Sequence, residues 1–339
     1  MISLGYILLM VVVAVLGYLI TPDSTPYCNH QQLEIALRKP GFTVQLLNVK
    51  QSRVVERQGL FSKMLFGQPA FYQTVPISSY EKSGDSLKVV LFEHAAEGES
   101  VVYALSDLSP DEPVVTKRFL LGTDRYGRDV LSQIMIGSRV SLSVGFIAGL
   151  IALIIGITLG ALAAYHGGWA DSLIMWLINV VWSIPTVLLV IAITFALGKG
   201  FWQVFIAVGL TMWVDIARVV RGQVFSIKEK EYIEAARALG FSTFRTIFRH
   251  ILPNITGAII VVATSNFASA ILLEAGLSFL GIGVQPPMVS WGSMVKENYG
   301  YILLDSAHLA FIPGIAIMII VLSFMLLGNG IRDALDIKK

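Results

Sequence analysis

The sequence predicts an all-α polytopic membrane protein of six transmembrane helices, with a small β-rich insertion between the first and the second. Three observations predict it. The 339 residues are 55% hydrophobic and only 14% charged, with a mean hydropathy of +0.71, whereas an ordinary soluble domain is about 25% charged. Six apolar runs, at roughly 3–20, 140–165, 172–197, 201–220, 255–282 and 302–328, approach or exceed the length that crosses a bilayer. Residues 21–118 break this pattern: they are polar, with ten Lys/Arg against eleven Asp/Glu.

The first run has a long apolar core, no basic start and no clean small-x-small site before Thr21-Pro22, so it reads as a retained span rather than a cleaved leader. In the insertion, Phe42, Val44 and Leu46 alternate with Thr43, Gln45 and Leu47 after Gly41, as in a strand. Leu87 to Phe92 follows the turn signal Lys82-Ser83-Gly84-Asp85 and predicts a hairpin, and Val101 to Leu105 predicts another strand. The lone Cys28 excludes an intrachain disulfide and a thiolate metal cluster.

The second span carries Gly145, Gly149, Gly156 and Gly160 near one helix face, a pattern that lets helices pack closely in lipid. His166-Gly167-Gly168 predicts a tight turn and Trp169 an interfacial anchor. Pro185 is expected to kink the third span and Pro313 the sixth. Asp215 and Arg218, three residues apart, predict an ion pair at the end of the fourth. Glu274, about 20 residues past Asn254, is an intramembrane carboxylate near the outer boundary, equally suited to a functional or an interfacial structural role.

Residues 226–253, SIKEKEYIEAARALGFSTFRTIFRHILP, form a charged segment between apolar spans. Ser226 and Glu229 match a capping box. Tyr232, Ala235, Ala236 and Leu239 follow at i, i+3, i+4 and i+7 and predict one smooth face. Gly240 suits a left-handed helix terminus, Ser242 starts a second helix and Pro253 closes it. The segment 218–250 carries Arg218, Arg221, Lys228, Lys230, Arg237, Arg245 and Arg249 against Glu229, Glu231 and Glu234, which places it in the cytoplasm. The tail, with Arg332, Lys338 and Lys339, follows it there, so both termini lie inside and 21–139 outside.

Glu234-Ala235-Ala236, Gly240 and Leu252-Pro253 together resemble the EAA loop of ABC-importer permeases, with His250 where the pattern has isoleucine. Leu121-Gly122-Thr123-Asp124 with Gly127-Arg128-Asp129 is similar to a signature of the dipeptide/oligopeptide/nickel branch, in its C-type subunit. Glu274 to Gly281 and Leu327 to Asp336 extend the likeness to about 119–337. The resemblance implies the type I, MetI-like permease fold. It divides the chain into a first helix 1–20, an extracytoplasmic insertion 21–118 and a permease domain 119–339 with a coupling loop at 223–253. It also implies partners: a homologous B-type permease, two ATP-binding subunits gripping the EAA loop, and an extracytoplasmic solute-binding protein, in a bacterial inner membrane. ATP and Mg would be bound by the partner subunits and no cofactor by this chain.

Residues 122–129 predict two tight backbone turns and an ion-pair network of Asp124, Arg128 and Asp129. Its reading is structural, pinning a re-entrant or interfacial helix, with contact to a binding protein or substrate as the alternative. The sequence has no G-x-x-x-x-G-K-[ST] loop, no G-x-S-x-G elbow and no metal-ligand spacing among its five histidines. A nucleic-acid role for the 226–253 segment is excluded by its place between spans. The expected function is half of a translocation pathway for peptides, without catalysis. Nickel or another small solute is the alternative cargo, and a channel or scaffold that is not ATP-coupled the alternative class.

Overall fold

The computed structural model describes residues 1–92, 100–198 and 200–336, so His94, Lys338 and Lys339 lie outside the described residues. The chain is a helical bundle with a five-stranded sheet at one end and a short-helix loop at the other.

Helix α1 (Ile2–Ile20) leads into the sheet region. The strands are β1 (Phe42–Lys50), β2 (Tyr72–Ser83), β3 (Ser86–Leu91), β4 (Ser100–Ala104) and β5 (Val114–Phe119), all neighbours antiparallel, in the order β4-β3-β2-β1-β5. The expected hairpin turns at Gly84-Asp85, where Ser83 pairs with Ser86. The alternation in β1 serves two cores. Val44 and Leu46 pack with Ile35 and Phe119 on one face, and Leu47 packs with Ile77, Val89 and Leu108 on the other. Burial on both faces gives a segment of this length a core of its own. Between β1 and β2, the helix α2 (Leu60–Phe66) exposes Leu60, Phe61 and Phe66 beside α1.

Helix α3 (Val130–His166) is 37 residues long, or about 55 Å at 1.5 Å per residue. It starts ten residues before the apolar run because Asp129 caps it. Its glycines work as contact points: a Cβ on Gly145 or Gly149 would press on Ile271 and Phe267, and one on Gly156 or Gly160 on Ile216 and Ala217. The two pairs therefore seat two different helices, α9 (Leu252–Phe279) and α6 (Phe201–Lys228), on one face.

The third span is broken rather than kinked. Helices α4 (Gly168–Trp182) and α5 (Thr186–Leu197) meet at 93°. Proline lacks the N–H that would continue the ladder and excludes helical backbone before it, so α4 ends ahead of Pro185. Among the described residues, five helices are individually long and apolar enough to cross a membrane: α1, α3, α6 (Phe201–Lys228), the run through α9 (Leu252–Phe279), and α11 (His308–Asp336). Helix α11 begins six residues later than its apolar run suggests and continues through Pro313. The short α10 (Trp291–Asn298) precedes it.

Two capping expectations are corrected at the loop end. Ser226 lies inside α6, which runs on to Lys228, so the capping box with Glu229 does not form. The clamp from Lys228 Nζ to the Ala164 carbonyl, 2.8 Å, ties this extra turn to α3. Pro253 closes nothing: it sits in the first turn of α9, where a missing N–H costs no bond. The backbone reaches it through α8 (Thr243–Thr246) and a π-helical turn, Ile247–Ile251.

Candidate functional site

Helix α7 (Glu231–Ala238) is the centre of the loop end. Ile233 and Ala236 are buried and fix it to the bundle, while Tyr232, Glu234, Ala235 and Leu239 are exposed. Ala236 therefore does not belong to the outer face, a correction to the four-residue stripe. An eight-residue helix lying flat has room for only one inward stripe, and Ile233 draws Ala236 into it. The outward stripe is Tyr232, Ala235 and Leu239. Phe244 in the following α8 and Phe248 in the π-helical turn are also exposed, with ring centroids 4.3 Å apart. Gly240 has φ +76 and open space around its Cβ position, so it is a left-handed terminus chosen for backbone geometry alone. Ser242 caps α8 by accepting from the Arg245 N–H. Arg237 and Arg245 lie over the rings of Tyr165 and Phe241. His250 stacks on Phe241 within the π-helical turn. Leu252 is half-buried and Pro253 exposed.

At the sheet end, residues 122–129 form a knot between the sheet region and the bundle. Thr123 and Arg38 bond through N–H and hydroxyl, Leu37 N–H donates to the Asp124 carbonyl, and Gln32 N–H donates to that of Tyr126. Gly122 and Gly127 have φ +78 and +71, and their absent side chains leave room for the carbonyls of Arg38 and Gln32. Asp124 accepts from the N–H groups of Tyr126 and Arg128, from Arg128 Nε at 2.7 Å and from Gln133 Nε2 at 3.1 Å. The second partner of Arg128 is Glu297 on α10, at 2.9 Å. Asp129 stands outside this ion-pair network, because its carboxylate accepts from Ser132 N–H and hydroxyl at the start of α3. Burial pushes its carboxyl above the usual range, against the pull of those hydrogen bonds. Glu297 and Gln133 were not apparent from the sequence, since nothing in local spacing ties position 297 to position 128.

Glu274 is fully buried and bonded to the hydroxyls of Ser141 and Ser278, at 3.3 and 2.6 Å. Ser141 in turn accepts from Trp291 N–H. The chain Trp291–Ser141–Glu274–Ser278 joins α3, α9 and α10, so Glu274 locks helices together.

Asp215 and Arg218 form no ion pair; the Arg218 guanidinium lies 3.6 Å from the centroid of the Trp182 ring instead. The pair that joins α4 to α6 is Asp171–Arg221, with two bonds of 2.5 and 2.7 Å.

Residues 156–338 match the family model described as "Binding-protein-dependent transport system inner membrane component". The chain is 43% identical over 218 residues to the glutathione transport system permease protein GsiD of Pectobacterium atrosepticum, covering 64% of this chain and 72% of that protein. It is 45% identical over 217 residues to the dipeptide transport system permease protein DppC of Alkalihalophilus pseudofirmus, covering 64% and 71%. Over 231 residues it is 38% identical to the oligopeptide transport system permease protein OppC of Bacillus subtilis, covering 68% and 75%. A chain of the methionine ABC transporter MetNI, solved inward-facing, shares the fold: TM-score 0.51 at 20% identity, over 60% of this chain and 96% of that one. The chain belongs to the family of inner-membrane components of binding-protein-dependent transport systems, the permeases of ABC importers.

Proposed function

We propose that the chain is one permease half of an ATP-driven importer of di- and oligopeptides. It spans the bacterial inner membrane six times, with α4 and α5 together making the third crossing, both termini cytoplasmic and the sheet region 21–118 extracytoplasmic. A homologous B-type permease forms the other half, two ATP-binding subunits hold ATP and Mg, and a solute-binding protein delivers cargo to the sheet end. The chain itself is a non-catalytic subunit without a cofactor.

The observation that carries this reading is the outward face of α7. Tyr232, Ala235 and Leu239 are exposed on a helix held from behind by the buried Ile233 and Ala236, and Phe244 and Phe248 of the following turns are exposed as well. Its relatives named for dipeptide, oligopeptide and glutathione transport supply the cargo class. A small apolar face of this kind fits a cleft in another subunit, and Glu234 and Gly240 shape its two ends. The division into 1–20, 21–118 and 119–339, with a coupling loop at 223–253, follows from the same reading. So does the role of Gly122, Asp124, Gly127, Arg128 and Asp129 as a structural knot at the outer interface.

The test is intact-complex mass spectrometry of the detergent-purified assembly, wild type against a Glu234→Ala/Gly240→Pro double variant. Recovery of a second permease and two ATPase copies in the wild type, with the ATPases lost in the variant, is the expected result. A chain that purifies alone in both forms overturns the reading in favour of a channel or scaffold.

A further inference from the structure

Asp215 occupies an unusual place for an ionisable side chain. It lies 14 residues from Phe201 and 13 from Lys228, in the middle of α6, about 20 Å from either end. It is exposed while Val214, Ile216 and Ala217 around it are buried. Among the described residues no hydrogen bond or ion pair reaches its carboxylate. The nearest guanidinium along the helix, Arg218, is engaged with the Trp182 ring.

Position 215 lies inside the fourth apolar run, 201–220, and a carboxylate there is too costly to face acyl chains, so this side of α6 must face water, protein or a passing solute. The surroundings agree. Asp215 borders a cavity of about 440 Å³ lined on its other sides by Thr186, Ser269, Leu272, Gly276 and Leu280. The cavity lies beside the 93° break between α4 and α5, with Thr186, the first residue of α5, on its wall. Small and hydroxyl side chains, an apolar wall and one unneutralised carboxylate make a compartment for a molecule that is partly apolar and carries one positive charge.

We propose that Asp215 is a specificity-determining residue of the translocation pathway, receiving the protonated N-terminal amine of the cargo as it crosses. The inference rests on the peptide-importer reading above. An unmodified peptide carries this ammonium at neutral pH, because an α-amine titrates near 8. A single carboxylate with no counter-ion among the described residues then attracts the one positive charge common to cargoes of differing side chains, and the apolar wall accommodates their apolar parts.

The test uses the whole importer, both permeases and both ATPases, in proteoliposomes with its binding protein, and Ala-Ala as cargo. The quantity read is Ala-Ala taken up per ATP hydrolysed, with the yield of assembled complex as a second readout. Asp215→Asn should assemble in wild-type yield and lower the ratio about tenfold, the worth of one charge-assisted hydrogen bond. Asp215→Glu should keep it within about threefold, and Asp215→Lys should abolish uptake. A ratio unchanged in Asp215→Asn overturns the proposal. A variant that loses the second permease overturns it too, by showing that Asp215 pairs with a cation of that subunit. A wild-type complex that assembles and hydrolyses ATP but takes up no Ala-Ala refutes the peptide reading itself, and the proposal with it.

Discussion

Arg128 and Glu297, 169 positions apart, meet in a 2.9 Å ion pair that joins the loop before α3 to α10. The same guanidinium holds Asp124, whose side chain is 2% exposed. One arginine thus fastens the sheet region, the head of α3 and the α10 segment together.

Removing that arginine leaves a buried carboxylate without its cation. Arg128→Ala should cost about 3–5 kcal/mol, whereas Glu297→Gln, at a half-exposed site, should cost about 1 kcal/mol or less. Thermal unfolding of the purified chain in detergent checks the order; equal losses would place the weight of the knot on Glu297.

Asp129 is a buried helix cap. Asn caps equally well without the charge. Asp129→Asn should therefore leave Tm unchanged or raise it, and Asp129→Ala should lower stability by about 1 kcal/mol. With its carboxyl raised by burial, the stability tied to this group is full below the ordinary carboxylate range and is lost as pH rises through the folded value. The gain of the asparagine variant should accordingly appear at neutral pH and vanish in acid.

His30 titrates in the opposite sense to Asp129. Burial lowers its pKa, opposed by Asp23, and its ring nitrogen lies 3.1 Å from Thr74 Oγ1. A lowered folded value means that its share of stability is present above the unfolded pKa, about 6.5, and falls away below it. Melting curves at pH 7.5 and 5.0 should show a larger drop for wild type than for His30→Gln.

The two alanines of the α7 pair should separate docking from folding. Ala235→Trp, on the exposed face, should leave Tm in place and reduce ATPase recovery on co-purification. Ala236→Trp, at a site 4% exposed, should lower stability by about 1–3 kcal/mol through overpacking. Identical behaviour of the two would remove the distinction between outer and inner stripes.

Gly127 has a φ of +71, and a Cβ there would stand 1.8 Å from the Gln32 carbonyl oxygen. Gly127→Ala should destabilise by about 3 kcal/mol or more, combining left-handed strain with the clash. Gly240→Ala, equally left-handed but with open space around it, should cost only about 1–2 kcal/mol. The difference can be read from expression level and Tm of the pair.

Much of this architecture is legible in the sequence where the determinant is local. Gly84-Asp85 turns a hairpin, Ser242 caps α8 and Gly240 ends α7 because turn and cap chemistry act within a few residues. Pro185 marks the break in the third span, although spacing alone does not set its 93° angle. Legibility ends where a remote partner decides. Ser226 has the residues of a capping box, yet α6 extends over it, with Lys228 anchored on α3. Asp215 and Arg218 have the spacing of a pair, yet Trp182 on another helix takes the arginine. Strand β5 is not legible because its six residues, VVTKRF, acquire their register only from β1. Glu297 was unrecognised for the same reason.

Because α6 runs unbroken for 28 residues to the edge of α7, it can act as a lever. It is about 42 Å long. A 10° swing about its far end would carry the Lys228 end through roughly 7 Å and Asp215, half-way along, through roughly half of that. A push on the α7 end would thus arrive at Asp215 as a displacement of a few ångströms, comparable to the width of the side chains that line the cavity beside it.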